Sequence, residues 1–395
     1  MKLQAIKAQA TTRYPLFALG FRAFFALAGL SALILILLWN AIFKGDLLAA
    51  NYFAGTWHAH EMLLGYSVAV MAGFLLTAVK NWTGKPTLTG DPLAGLCLLW
   101  LYGRIVPFYE GLLPDAMIAL IDFAFLPTLA VQLCKPIFQA RQWKHLVFVA
   151  ILLVLALGNG LIHTEILGLT KNTAGLGIQL VVATIIALIL VIAGRVFPFF
   201  TERGISGTLI IRKPLLDGLA VASAALVFVV QMTGVAGGML ATVAMIAALV
   251  NSVRLSGWYV PRIRYVPLLW VLYIGYGWII VGFVLTALAA YDWVSPSLAL
   301  HAYTIGGIGV LTLGMMARVS LGHTGRALRA SNAIAIAFVL INLAVVLRVL
   351  LPIALPDGYG MLVYASTLCW LAAFALFVFV YAPVLTSARV DGQEG

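Results

Sequence analysis

Long apolar runs, separated by short polar breaks, extend along the whole chain. Each run is about 20 residues long, which is the length of α-helix that crosses a bilayer. The runs lie near residues 16–43, 58–79, 92–108, 115–134, 146–163, 174–198, 214–233, 238–257, 266–290, 299–319, 332–351 and 359–383. The pattern predicts an all-α fold, a polytopic membrane bundle of about twelve transmembrane helices.

Polar stretches long enough to fold as a separate domain are absent from the sequence. We therefore expect one integral membrane domain over residues 1–395, with short cytoplasmic tails at about 1–15 and 384–395. The first run follows Lys2, Lys7 and Arg13 but has no convincing small-residue cleavage site, which indicates a retained span. A composition of 63% hydrophobic and 9% charged residues excludes a set of soluble domains.

The basic residues are distributed unequally between the two sets of alternating connections. One set carries only Lys44 and Lys171, and the other set carries most of the basic residues between the spans. Loops rich in Lys and Arg stay in the cytoplasm, so the bias and the even span count predict that both termini are cytoplasmic. The net charge of +11 thus sets orientation and does not indicate nucleic acid as a partner. The basic set is Lys80, Lys85, Lys135, Arg141, Lys144, Arg203, Arg212, Lys213, Arg262, Arg264, Arg318, Arg326 and Arg329.

Four histidines, His58, His60, His163 and His301, fall at the same end of separate predicted spans. An imidazole at that depth is costly unless it is paired, hydrogen-bonded or coordinated to a metal. We expect these side chains to lie in one layer near the outer face and to bind a metal, as iron porphyrin, copper or zinc. The alternative is that each is an interfacial hydrogen-bonding residue, and His163 could simply snorkel.

His58 and His60 are separated by one residue, which places their side chains roughly 200° apart around a helix. Two helical imidazoles in that relation cannot easily share one metal. They could serve two centres, or one of them could belong to the preceding loop.

Arg104 and Arg348 lie toward the outer side of the third and eleventh spans. An arginine at that depth should pair with an anion, and haem propionates are suitable anions. Carboxylates of the chain could equally neutralise these two arginines; the candidates are Glu61, Asp115, Asp122, Glu165 and Asp292.

The remaining histidines do not belong to this layer. His145 lies in a basic loop and is expected to be solvated. His323 follows His301 by a distance of about 33 Å along a continuous helix, so it must approach the opposite face. The polar loop around His323 could bind a propionate or a lipid phosphate; the alternative is that its polar side chains hold the loop in an ordered conformation.

The tenth span is rich in glycine, with Gly306, Gly307, Gly309 and Gly314 within a few turns. Close contact with a neighbouring helix would explain these glycines. A flat macrocycle lying against the helix would explain them as well.

Several of these segments together resemble the NnrS family. The likeness extends over essentially the whole chain and is most specific at Arg13–Phe17, Gly20–Arg22, Trp57–Met62, His301–Thr304 and Met315–Arg326. Proteins of that family are multi-span bacterial inner-membrane proteins described as containing haem and copper and as acting in the nitric oxide response. The resemblance therefore implies nitric oxide as a ligand, which composition alone does not indicate.

A more distant likeness is to the catalytic subunit of haem-copper oxidases and nitric oxide reductases. Those proteins place haems toward the outer side and draw ligands from the second and tenth helices, where this chain has His58 or His60 and His301. The chain departs from that pattern because it has no adjacent histidine pair in the seventh span and no histidine in the sixth. Any copper would need another set, such as the remaining one of His58 and His60 together with His163.

The expected function is binding or transformation of nitric oxide in nitrosative-stress defence, with b-type haem and copper as candidate cofactors. The candidate metal ligands are His58, His60, His163 and His301, and Arg104 and Arg348 are the further candidate cofactor contacts. Nitric oxide and membrane lipids are the expected partners, the electron donor is unknown, and enzymatic turnover stays open. The alternatives are a twelve-span secondary transporter and a haem or copper delivery factor, although the halves show no convincing repeat.

Overall fold

A computed structural model describes residues 14–47 and 52–393. Within these ranges the chain forms helices and no β-strand. Twelve of the described helices are long and apolar enough to cross a membrane. The protein is therefore a multi-pass, all-helical membrane protein, as the apolar runs predict. Arg13, which opens the first family-like segment, lies outside the described residues.

The twelve helices begin and end close to the predicted boundaries. The largest extensions occur where a run of polar and aromatic residues continues the last turns, as in the sixth helix. The helices are α1 Gly20–Lys44, α2 Trp57–Thr83, α3 Gly90–Tyr109, α4 Asp115–Gln139, α5 Trp143–Ile166, α6 Ala174–Gly204, α7 Pro214–Met232, α8 Gly238–Ser256, α9 Pro267–Ala289, α10 Pro296–His323, α11 Asn332–Ala354 and α12 Pro356–Thr386.

Local sequence signals set several of these ends. Gly45 and Gly84 follow α1 and α2 with φ of 81° and 66°, a conformation that glycine adopts without a steric penalty. Pro267 occupies the first turn of α9, where its missing N–H has no helical partner to lose. The Ser331 side chain accepts a hydrogen bond from the Ile334 N–H and so caps the start of α11.

Glycines let α9, α10 and α12 pack closely. A Cβ atom added to Gly306 would lie 2.6 Å from the Trp278 side chain, and one added to Gly309 would lie 2.7 Å from the Trp370 side chain. Gly307 and Gly314 meet side chains of α9 at similar distances. Close helix contact therefore accounts for the glycine-rich stretch of α10.

The described ends of the chain meet on one side of the bundle. The Arg22 guanidinium at the start of α1 donates to two backbone carbonyls at the other end of the chain. They belong to Leu385 in the last turn of α12, at 3.0 Å, and to Ser387 just after that helix, at 2.6 Å. Arg389 continues this contact by donating to the His323 carbonyl at 3.1 Å. The contacts hold the two ends together at one face, and the cytoplasmic location of that face stays a prediction.

Two polar groups away from the histidine layer are structural. Arg254 pairs with Asp217 at 2.7 Å and also donates to the Leu190 carbonyl, which joins α8 to α7 and α6. His145 is 4% exposed, stacks on Trp82 with ring centroids 4.8 Å apart and hydrogen-bonds to the Gln142 side chain. The expectation that His145 is solvated is wrong, because an aromatic surface and an amide cover its ring.

Candidate functional site

The candidate residues all lie at one end of the bundle, which we call the histidine end: the start of α2, α4 and α10 and the end of α3, α5 and α11. Three of these helices contain a π-helical segment there, over Glu61–Ser67 in α2, Ala302–Gly309 in α10 and Val346–Leu350 in α11. A π segment widens the helix and is frequent at functional sites because it redirects the side chains around it. All three segments contribute to the wall of one cavity.

This cavity, which we call the His58–His301 cavity, has a volume of about 140 Å³ and is partly open to the outside. The wall is mainly apolar, with a few polar groups. It comprises Ile36, Trp39, His58, Ala59, Met62, Leu63, Tyr66, Ser67, Ile178, Leu300, His301, Thr304, Ile305, Ile308, Arg348, Val363, Ser366, Thr367 and Trp370.

His301 is held in one orientation by its own helix. Its Nδ1 lies 2.6 Å from the backbone carbonyl oxygen of Ser297, so Nδ1 carries the hydrogen and donates it. The neutral ring then has its lone pair on Nε2, and no described residue hydrogen-bonds to that atom. A backbone carbonyl on one nitrogen, with the other nitrogen available, is the arrangement that metal-ligating histidines have.

His58 faces the same cavity with unsatisfied ring nitrogens. Its ring stacks on Trp39 of α1, with centroids 4.3 Å apart and planes inclined by 16°. Neither nitrogen hydrogen-bonds to a residue that the structure describes, and Nδ1 is buried. A buried polar atom without a partner is unfavourable, so a ligand that engaged this imidazole would remove that cost.

Arg348 brings a positive charge to the cavity. Its guanidinium lies over the Tyr359 ring at 5.1 Å, and its Nη1 atom is buried with no hydrogen-bond partner in the described part of the chain. None of the described lining residues is acidic. The cavity therefore has an arginine that is suited to a carboxylate carried by a ligand.

A second group of residues lies beside the cavity and is centred on the Asp122 carboxylate of α4. Its Oδ2 atom accepts hydrogen bonds from His163 Nε2 at 2.8 Å and Asn159 Nδ2 at 2.9 Å, and lies 3.2 Å from His60 Nε2. Its Oδ1 atom pairs with Arg104. We call this group, completed by Glu61 and Tyr52, the Asp122 network. Its histidines and carboxylates are almost completely buried.

The hydrogen-bond partners of His60 lie on both sides of its ring. Nδ1 lies 3.0 Å from Glu61 Oε1, and Nε2 lies 3.1 Å from Asn159 Oδ1. The Asn159 amide cannot be reversed without losing its donation to Asp122, so both ring nitrogens face acceptors. The His60 ring is therefore held between Glu61 and Asn159, beside the Asp122 carboxylate.

Aromatic side chains from the loop before α2 close the network. Phe53 stacks on His60 with ring centroids 3.9 Å apart, and the Tyr52 hydroxyl lies 3.0 Å from His163 Nδ1. Burial, followed by the nearby Asp115 carboxylate, raises the pKa of the Tyr52 phenol above its usual range. The phenol therefore keeps its hydrogen and can donate it to His163.

The Asp122 network also contains a possible metal-binding set. One ligand atom each from His60, Asp122 and His163 lie within 4.8 Å of one another. Two imidazoles and a carboxylate suit copper or zinc, and a bound cation would replace hydrogens that the imidazoles now donate. The same three side chains can thus be held by hydrogen bonds or by a metal.

The family comparison covers both groups of residues. The model of the family described as NnrS protein matches residues 15–389. The chain belongs to the NnrS family. No curated protein matches it.

In this NnrS protein the predicted site residues separate into two sets. His58, His301 and Arg348 line the cavity, whereas His60, His163 and Arg104 belong to the Asp122 network. His58 and His60 thus point to different groups, as their angular separation on a helix requires. Arg104 pairs with Glu61 at 2.9 Å and with Asp122, so carboxylates of the chain neutralise it.

Sequence reasoning missed three contributors to these sets. Asn159 and Tyr52 connect members of the Asp122 network, and Trp39 holds the His58 ring. Asp122 carried a usable signal, because a carboxylate within a membrane span is a functional candidate by default. Asn159, Tyr52 and Trp39 carried no such signal, because these residue types are common in and beside membrane spans. Their roles follow only from the partners that the fold brings to them.

Proposed function

We propose that this NnrS protein is a haem-binding protein of the bacterial inner membrane that binds nitric oxide in nitrosative-stress defence. His301 and His58 would hold the haem in the His58–His301 cavity, and Arg348 would bind a propionate. The observation that carries the proposal is the bond from His301 Nδ1 to the Ser297 carbonyl, which leaves Nε2 available in a mainly apolar cavity that His58 and Arg348 also line.

The chemistry of the wall fits a b-type haem. The cavity offers two imidazoles, one arginine that lacks a carboxylate partner, and an otherwise largely apolar surface for a macrocycle. Cys97, Cys134 and Cys369 do not form the C-x-x-C-H motif of covalent haem attachment. A haem in this cavity would therefore be held by ligation, by propionate contacts and by apolar packing.

Each residue of the chain would have a distinct role. A bound haem would supply the iron that binds nitric oxide. The Ser297 carbonyl fixes the tautomer of His301, and Trp39 holds the plane of the His58 ring. Arg348 compensates negative charge, and side chains such as Ile305 and Ile308 exclude water from the cavity.

Membership of the NnrS family supports nitric oxide as the ligand, because proteins of that family act in the nitric oxide response. Reduction of nitric oxide also consumes electrons and protons, whereas binding does not. An assay of nitric oxide consumption with and without a chemical reductant would distinguish transformation from binding alone.

An absorption spectrum of the purified protein tests the haem proposal. Wild type should show a Soret band that shifts when nitric oxide is added, and His301→Ala should lose most of its haem. His323→Ala is the matched control, because His323 lies on the same helix at the opposite end. Normal haem content in both His301→Ala and His58→Ala would refute the assignment.

We also propose copper as a second cofactor, held by His60, Asp122 and His163. The proximity of their ligand atoms and the imidazole and carboxylate donor set support this site. Metal analysis should find copper in wild type and little in His163→Gln, with His145→Gln on the same helix as the control. Equal copper in both variants would refute the site without affecting the haem proposal.

The same measurements address the two alternative functions. Colourless protein that accumulates a substrate across the membrane would favour a secondary transporter. Haem or copper that passes rapidly to an added apoprotein would favour a delivery factor.

A further inference from the structure

A second cavity lies deeper in the bundle, between α2, α6 and α10. Its volume is about 90 Å³. We call it the apolar cavity, because nearly all of its lining residues are aliphatic, aromatic or thioether side chains. They are Phe25, Ser67, Val70, Met71, Phe74, Ile185, Leu188, Ile189, Ile192, Ala193, Val196, Phe197, Ile308, Leu311, Thr312 and Met315.

The two hydroxyl groups in this wall are already engaged. Ser67 Oγ donates to the Met62 carbonyl at 2.8 Å, and Thr312 Oγ1 donates to the Ile308 carbonyl at 2.6 Å. Thr312 Oγ1 also lies 2.6 Å from the Tyr66 hydroxyl, which can donate to it. The wall thus offers no polar atom to a guest, and a cavity of this kind stays dry.

The apolar cavity adjoins the His58–His301 cavity. Ser67 and Ile308 line both of them. Ser67 ends the π-helical segment of α2, and Ile308 lies in the π-helical segment of α10. These two side chains, of small and medium size, are common to the two walls, so they form the boundary between the cavities.

The other side of the apolar cavity approaches the lipid-facing surface. Phe74 on α2 and Ile189, Ile192 and Val196 on α6 are only partly buried. These side chains flank the seam between α2 and α6, which is within membrane-spanning segments. A small guest could therefore enter from the hydrocarbon region of the bilayer without crossing a polar surface.

We propose that the apolar cavity is a binding and transit site for a small uncharged diatomic gas, which passes from the membrane to the His58–His301 cavity. The occupant follows from the wall, because a quinol headgroup or an ion would need hydrogen-bond partners that the wall does not offer. The identity of the gas as nitric oxide rests on the proposed function; the existence of the gas site does not.

Gas association kinetics test the transit role in the haem-loaded protein. Ile192→Trp places an indole in the apolar cavity, and it should slow bimolecular recombination of carbon monoxide after flash photolysis by about tenfold. The affinity at equilibrium should change little, because a route affects association and dissociation alike. Val191→Trp is the matched control, since Val191 is also partly buried on α6 but does not line the cavity. Equal rates in the two variants would overturn the transit role.

Xenon tests the site independently of haem, since it needs only a dry apolar cavity. Crystals pressurised with xenon should show a xenon atom among Val70, Ile189 and Leu311 in wild type and none there in Ile192→Trp. An acyl chain filling the cavity, or a cavity without xenon, would overturn the proposal. Protein that lacks haem but binds xenon would refute the proposed function and leave the gas site standing.

Discussion

A single backbone carbonyl determines which ring nitrogen of His301 is available to a ligand. The Ser297 oxygen takes the hydrogen of Nδ1, and the helix that contains both residues keeps them in contact. No side-chain substitution at Ser297 removes that oxygen, so the orientation of His301 is insensitive to most mutations nearby. His58 lacks such a bond and is held by stacking on Trp39 instead, which leaves its ring more adaptable.

Arg348 provides a prediction about charge in the His58–His301 cavity. Arg348→Gln keeps a long polar side chain but removes the charge, and we expect haem affinity to fall by about tenfold, since hydrogen bonds between charged groups are the strong ones. Titration of haem into the apoprotein measures this change. Arg195→Gln, an exposed arginine near the opposite end of the bundle, should bind haem as wild type does. Equal affinities in the two variants would contradict the role of Arg348.

Asp122 provides a prediction about stability. Asp122→Asn removes one of the two buried carboxylates that pair with Arg104 and the acceptor of the His163 ring, and we expect a loss of about 3 kcal/mol in the free energy of unfolding. Glu202→Gln weakens a pair with Arg212, whose side chain is 55% exposed, and should cost no more than about 1 kcal/mol. Unfolding of both variants in detergent, without added metal, compares them. A loss for Asp122→Asn that is no larger than the loss for Glu202→Gln would show that charge pairing in the Asp122 network does not stabilise the fold.

At the scale of the helices, small residues set how closely α9 and α10 approach. An added Cβ at Gly282 of α9 would overlap the Tyr303 ring of α10, and one at Gly306 would overlap Trp278. Tyr303 also donates to or accepts from the Thr286 hydroxyl at 2.9 Å, so its ring has little room to move. The position of the π-helical segment that follows His301 therefore depends on this contact.

A pair of alanine substitutions on α9 tests the contact. Gly282→Ala should destabilise the protein by about 1–3 kcal/mol through overpacking. Gly277→Ala, where an added Cβ would meet nothing within 4 Å, should leave stability unchanged or slightly higher. Thermal unfolding of both variants gives the difference. If they unfold at the same temperature, α10 can shift away from α9 without penalty.

The elements that sequence could predict are those with a strong local signal. The apolar runs gave all twelve helices because length and hydropathy report membrane spans directly. The three π-helical segments were missed, since one extra residue in a turn leaves no mark on a helix that is apolar on most sides. The separation of His58 from His60 followed from helix geometry, whereas the joining of His60 to His163 required Asp122, which lies on a third helix.

At the scale of the whole molecule, the candidate sites and the described ends of the chain, near residues 14 and 393, occupy opposite ends of the bundle. The cavity residues and the Asp122 network lie at the histidine end, and Arg22, His323 and Arg389 lie together at the other. The loops that carry most of the basic residues lie at the same end of the bundle as Arg22 and Arg389. The orientation predicted by that charge bias places both candidate sites toward the periplasm.

Reporter fusions test the orientation. Alkaline phosphatase, which is active only in the periplasm, should be active when fused after Gly111 and inactive when fused after Gly207. A fluorescent protein that folds only in the cytoplasm should give the reverse pattern. The opposite result in both pairs would invert the membrane orientation and place the haem and copper sites at the cytoplasmic face.

The contact between Arg22 and the carbonyls at the end of α12 has a consequence for connectivity. Because the guanidinium joins the first helix to the last, the twelve helices form a nearly cyclic arrangement in which each end is the other's neighbour. A short peptide linking the two ends would give a covalent ring, and a new opening in the loop around Gly168 would give a circular permutant with the same helix neighbours. The same helix packing could therefore be reached by chains that begin at different helices.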